Sequence, residues 1–149
     1  MTSRFETFVD TPLSSFTIRW KVRSYELDSN GHVNNAVFLA YAEEVAVLHA
    51  EALGFGRDWT LEQGGVWVVR KHEIVYHRPA RFGDELELTT TVLSMRGARG
   101  VRQTRIGRVG DALLAEITTE WAWVRASDGR PIRLPAALTQ AFGEGSVNP

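Results

Sequence analysis

From Phe16 to Arg23 apolar and polar residues alternate strictly, which sets Phe16, Ile18, Trp20 and Val22 on one face of a half-buried strand. Near Ala36 the period lengthens. Phe38, Tyr41, Ala42, Val45, His49 and Ala52 form one helical stripe, widened by Val37, Leu39, Leu48 and Leu53. The opposite face holds Ala36, Ala40, Val47 and Ala50 beside Glu43, Glu44 and Glu51, which is small and apolar for a surface. A helix over about 36–53 would be ~27 Å long, with Asn34 or Asn35 as its N-cap and Gly54 as its stop. After a loop containing Gly54, Gly56, Gly64 and Gly65, strand patterns return at 66–76, 85–93, 101–109 and 113–124. These read as four consecutive strands joined by hairpin-like turns, with 78–84 as the first turn. Pro131 and Pro135 precede a short apolar, helical tail through Phe142. One helix cannot bury itself, so the pattern predicts an α+β fold: a curved antiparallel sheet of about five strands wrapped round a long central helix. Residues 1–14 read as an N-terminal arm, 15–126 as a single domain and 127–149 as a C-terminal tail.

Composition narrows the function classes. The chain has 149 residues, 44% hydrophobic and 23% charged, and a formal net charge of −1, which suits one globular domain. That charge gives no long-range field for nucleic acid or an anionic membrane. There are no cysteines, which removes disulfides, thiolate nucleophiles and cysteine-ligated metals and fits a cytoplasmic protein. No signal peptide and no run of ~20 apolar residues is present. Neither a Gly-x-Ser-x-Gly elbow nor a phosphate-cradling glycine motif occurs. The histidines do not make a metal site by spacing. His72 and His77 are five apart on an expected strand and so face opposite sides, while His49 lies in the helical stripe.

The chemistry concentrates in Tyr25-Glu26-Leu27-Asp28-Ser29-Asn30-Gly31-His32-Val33-Asn34-Asn35. Asp28 stands just upstream of a long helix whose first N–H groups lack partners within the helix. Such a helix start favours negative charge and can donate to a carbonyl oxygen becoming an oxyanion. A carboxylate beside those donors is the minimal equipment for attacking an acyl group or activating water against it. The simpler reading is that Asp28 and Asn30 only hold a tight turn at Gly31.

Asp28-x-Asn30-x-His32-Val33-Asn34-Asn35, followed by Phe38 and a helix carrying Glu43-Glu44, resembles the signature of hot-dog-fold acyl thioesterases. Asp-x-x-Gly-His-Val-Asn-Asn is similar to the 4-hydroxybenzoyl-CoA thioesterase-like branch, and Asn at the second motif position to acyl-ACP thioesterases. A second segment, Tyr76-His77-Arg78-Pro79-Ala80-Arg81-Phe82-Gly83-Asp84, resembles a Tyr-x-x-Pro-Ala-x-x-Gly-Asp turn of the same superfamily. The resemblance implies a hot-dog fold, no cofactor, no metal, and hydrolysis of acyl-CoA or acyl-ACP. It implies that Asp28 is the catalytic carboxylate, as nucleophile or general base. It places the Asn35 backbone N–H on the thioester carbonyl, with Asn30 and His32 positioning substrate or water.

Arg96, Arg99, Arg102, Arg105 and Arg108 span an expected hairpin. They read as a solvated surface or, more sharply, as Arg99 and Arg102 meeting the phosphates of CoA, with Arg78 a weaker candidate. The Ala-rich helix face and the strand at 66–76 leave apolar surface for a homodimer or homotetramer to bury. Two other functions stay open: a hot-dog dehydratase acting through a histidine and a helix carboxylate such as Glu43, and a non-catalytic acyl-CoA-binding module.

Overall fold

The computed structural model describes residues 13–142. Strands β1 (Ser15–Lys21), β2 (Gly65–Tyr76), β3 (Glu85–Arg96), β4 (Arg99–Arg108) and β5 (Leu113–Arg125) form one antiparallel sheet in the order β1-β3-β4-β5-β2. Helix α1 (Val37–Ala52) lies against it. Phe38, Tyr41 and Val45 of the predicted stripe pack on Phe16, Leu86, Leu88 and Ile117 of the sheet in the main core. The other face of α1 is uncovered in the single chain: Ala36, Ala40, Glu43, Glu44 and Glu51 are exposed, and Val47 is 52% exposed.

The expected meander of four strands is corrected at its first turn. β2 does not neighbour β3; it pairs with β5 at the far edge of the sheet. The free side of β3 is taken by β1, from Ser15 opposite Thr91 to Lys21 opposite Glu85. Residues 77–84 therefore cross one end of the sheet instead of reversing the chain. His77 and Arg78 donate their N–H groups to the Leu114 carbonyl near one edge, and Gly83 donates to the Val22 carbonyl near the other.

Two short elements lie within stretches read as loops, a 3₁₀ turn (Ser24–Glu26) and α2 (Arg57–Glu62). The expected terminal helix is α3 (Ala136–Phe142). Its Leu138 and Phe142, with Leu134, join Val92, Met95 and Trp123 in a second core beyond the C-terminal end of α1. Phe55, Trp59, Trp123 and Trp67 run through it as successive ring contacts. Gly65 is required here, because a Cβ at that position would lie 2.3 Å from the Trp123 ring. Nearly all of the predicted arm, and the tail beyond residue 142, lie outside the described residues.

Candidate active site

The Asp28 loop is a tight reversal closed by its own backbone. Leu27 and Val33 bridge, Asp28 N–H donates to the His32 carbonyl at 2.7 Å, and Gly31 N–H donates to the Asp28 carbonyl at 3.1 Å. Gly31 sits at φ 79°, a left-handed conformation that a Cβ disfavours. Asp28 Oδ1 accepts the N–H groups of Asn30 at 2.8 Å and His32 at 3.1 Å. The turn-holding role is thus real, and it uses one oxygen. The other oxygen of this half-buried carboxylate has no donor among the described residues.

The helix start beside it is fixed from both sides. Asn34 Oδ1 accepts Ala36 N–H at 2.9 Å, and Asn34 C=O accepts Val37 N–H at 2.9 Å. The Tyr76 hydroxyl, from the end of β2, donates to the Asn35 carbonyl at 2.7 Å. In the planar trans peptide between Asn34 and Asn35 the Asn35 N–H points opposite to the Asn34 carbonyl, which Val37 N–H holds. The Asn35 N–H has no acceptor among the described residues. An orphan donor and an unpaired carboxylate oxygen therefore stand on one short segment.

The two motifs that carry the family resemblance touch. Val33 N–H donates to the Ala80 carbonyl at 2.8 Å, and His32 bridges Arg81. Asp84 Oδ2 accepts Arg81 N–H at 2.9 Å and Arg108 Nε at 3.1 Å, and Arg108 Nη2 reaches the Pro79 carbonyl at 2.8 Å. The Pro-Ala turn is the floor on which the Asp28 loop rests.

Glu26 is a residue that sequence reasoning missed. It is 5% exposed, and its carboxylate accepts the Tyr41 hydroxyl at 2.8 Å, Arg23 N–H at 2.9 Å and Trp20 Nε1 at 3.3 Å. Its carbonyl takes Asn34 N–H. Burial, then the Glu26 carboxylate, raises the Tyr41 pKa above the ordinary phenol range. Glu26 thereby ties β1, α1 and the Asp28 loop together. Its signal is weak: one acid in a run already rich in polar residues.

The remaining predicted residues scatter. Asn30 is exposed and contributes its backbone N–H to Asp28; His32 is half-buried. Arg78 is exposed on the crossing link beside the loop. Arg99 is exposed and paired with Glu120. Arg102 is not on the surface as the phosphate-binding expectation required. Alternation along β4 sends Gly100, Arg102, Thr104 and Ile106 inward, and Arg102 is 8% exposed. Its Nη1 donates to His49 Nδ1 at 2.9 Å and to Thr90 Oγ1 at 3.1 Å, and burial lowers its pKa to about 10. His49 Nε2 lies 2.9 Å from the Leu13 carbonyl, so the neutral ring carries its proton on Nε2. Burial, then the Arg102 charge, lowers the His49 pKa to about 4. Glu43 is exposed and lies 3.3 Å from His72 Nε2, whose Nδ1 is 2.8 Å from Thr119 Oγ1.

An apolar cavity of about 290 Å³ lies against the second half of α1, lined there by Ala46, Val47 and Ala50, with Trp67, Met95 and Phe142 opposite. Ala46 is nine residues past Val37, or ~14 Å along the axis, so this cavity and Asp28 of the same chain occupy opposite ends of the helix.

Residues 22–142, which include both motifs and all of α1, match the family model described as the thioesterase-like superfamily. The chain belongs to this superfamily. It is 30% identical to the acyl-CoA thioester hydrolase YbgC of Escherichia coli over 132 residues, 87% of this chain and 98% of that one. It is 25% identical to an acyl-acyl carrier protein thioesterase, ATL3, of Arabidopsis thaliana, covering 84% of this chain and 66% of that one. Among solved structures it resembles a 1,4-dihydroxy-2-naphthoyl-CoA thioesterase from Synechocystis, with a TM-score of 0.78 at 21% identity over 86% of this chain and 95% of that one. That likeness is one of fold: the five-stranded sheet and its helix are the hot-dog arrangement that the two motifs implied.

Proposed function

We infer that this superfamily member is an acyl-CoA thioester hydrolase, releasing a free acid and CoA thiol. The observation that carries the mechanism is the pairing of an unpaired Asp28 oxygen with the orphan Asn35 N–H at the start of α1. The Asn35 N–H receives the thioester oxygen as it gains charge, with the helix start adding a favourable field. Asp28 takes a proton from water, or attacks the carbonyl itself, on the other side. Asn30 and His32 flank that carboxylate and position substrate or water. Arg78 is the candidate for carrier phosphate, since Arg99 is already paired and Arg102 is buried.

The reading includes a homodimer in the cytoplasm. Among the described residues β2 is an edge strand with an unpaired row of backbone groups, and its Val68, Val75 and Tyr76 are 42%, 52% and 41% exposed. Pairing two β2 edges about a two-fold axis would cover them, as unprotected edges require. The same axis reverses the partner's α1, so one chain's helix start comes beside the other chain's cavity. Mass photometry of the purified chain should find a dimer or tetramer; a monomer at working concentration would leave the acyl group without that wall.

The central test is Asp28→Asn. Asn retains a side-chain oxygen for the two turn N–H groups, so the loop should hold while the charge is lost. Turnover of an acyl-CoA panel, read as free thiol, should fall at least ~10²-fold with little change in melting temperature. Full activity in this variant would remove Asp28 from the chemistry. The Glu43–His72–Thr119 chain favours one second reading, a dehydratase. That reading requires the opposite pattern: Glu43→Gln inactive and Asp28→Asn active on a hydroxyacyl thioester.

A further inference from the structure

Arg102 is a buried cation that no carboxylate answers among the described residues. The other arginines of β4 all have acidic partners: Arg99 with Glu120, Arg105 with Glu116, and Arg108 with Asp84 and Asp111. Arg102, the most enclosed of them, bonds only to His49 and Thr90 among the described residues. Thr90 is neutral, and His49 presents an unprotonated Nδ1 to the guanidinium at neutral pH. A cation held out of water without a counter-charge is an unfavourable arrangement for a protein to keep.

Part of the guanidinium is left without a protein partner among the described residues. Both protein bonds fall on Nη1, leaving the Nε and Nη2 donors, the edge that meets a carboxylate with two parallel hydrogen bonds. Among the described residues the only enclosed side-chain N or O without a partner is Trp121 Nε1, so this Arg102 edge is not sealed in protein. Arg102 contributes to the wall of the 290 Å³ cavity, whose other walls include Ala46, Ala50, Phe55, Trp67 and Met95. Glu51 also reaches this cavity, but it is exposed and makes no ion pair with Arg102.

We propose that the cavity binds an apolar group ending in a carboxylate, held by the Nε–Nη2 edge of Arg102 while its carbon chain lies along the apolar walls. The apolar lining and the space of about 290 Å³ suit a carbon chain of medium length, for which an eight-carbon acid serves as the probe. The carboxylate has two possible sources, the far end of a dicarboxylic acyl thioester or the free acid. The first rests on the thioesterase reading; the second does not.

The test uses the full chain in two arms. In the first, octanoate and the neutral octanol are compared by calorimetry and thermal shift. In the second, KM is compared for octanoyl-CoA and for its eight-carbon analogue carrying a terminal carboxylate. Arg102→Met removes the charge at similar volume, and Ala50→Phe fills the cavity with Arg102 in place. Binding of octanoate at least tenfold tighter than octanol identifies the free acid. A KM at least tenfold lower for the carboxylated thioester identifies the acyl end. Whichever preference appears should shrink toward unity in both variants. If Arg102→Met does not fold by circular dichroism, Ala50→Phe decides. Equal behaviour in both arms, or a preference that survives in a folded variant, overturns the proposal. If no thioester is hydrolysed while octanoate binding still depends on Arg102, the catalytic reading fails and the carboxylate site stands.

Discussion

The two ends of α1 are built on opposite principles. At its start, polar groups close in sequence satisfy one another and leave one acceptor and one donor unused, on Asp28 and Asn35. Toward its end, residues from α1, α2, β2, β3, β4, β5 and α3 meet around an apolar space with one buried cation. The first end is a local device resting on a separate turn. The second exists only once the whole sheet has formed. The groups at one end can therefore keep their arrangement while the apolar space at the other is reshaped, since no side chain belongs to both.

The largest expected effect separates the ends by activity. Asp28→Asn should cut turnover at least ~10²-fold and leave the melting temperature nearly unchanged. Glu26→Ala tests whether the first end is as self-contained as its hydrogen bonds suggest. It strips a buried acceptor from Tyr41, Trp20 and the Arg23 N–H. Bonds to charged groups contribute roughly 1.5 kcal/mol or more each, so urea unfolding should show a loss of about 4 kcal/mol. A loss under 1 kcal/mol would mean that Glu26 does not hold β1 and α1 to the loop.

The second end should reveal itself in acid. His49 is fully buried and its pKa is lowered to about 4 from 6.5. A base whose folded pKa is depressed takes up its proton more readily when unfolded, so its stability contribution is whole above pH 6.5 and is lost as pH falls toward 4. At 1.36 kcal/mol per pKa unit, that is about 3 kcal/mol across the window. Stability curves at several pH values, compared with His49→Gln, should show the wild-type slope flattened in the variant. Equal slopes would mean that His49 titrates like a free imidazole.

What the sequence made legible follows the same division. The helix appears one residue inside its expected bounds, because Phe38, Tyr41, Ala42, Val45 and His49 keep helical spacing along it and all are buried. The Asp28 and Pro-Ala motifs were readable as short strings, and they meet in the fold through Val33 and Ala80. The path between β2 and β3 was not readable: a polar run containing Pro79 and Gly83 looks alike whether it reverses the chain or crosses the sheet. α2 was hidden because six residues between glycines carry too little period. Arg102 was misplaced for a related reason. Alternation along β4 puts it on the face opposite Arg105, but nothing local says which face of a strand points inward when both carry arginine. His49 lies buried in the stripe where its spacing puts it, and its arginine partner 53 residues away is invisible in the sequence.

The smallest expected effect concerns how the first end is tuned. Tyr76 comes from the exposed edge strand, yet its hydroxyl is the outer clamp on the Asn35 carbonyl, and burial raises its pKa above the usual phenol value. Tyr76→Phe removes the clamp and keeps the ring packed edge-on against Phe38. If the clamp acts by aiming the Asn35 N–H, a loss of about 1 kcal/mol should appear as a roughly fivefold fall in kcat, with KM and melting temperature little changed. A fall in stability of the same size with kcat intact would make Tyr76 a simple brace for β2. A fall in kcat alone would show that the helix start must be held from the neighbouring strand to keep the Asn35 N–H aimed, and that the local device at this end of α1 depends on the sheet at one point.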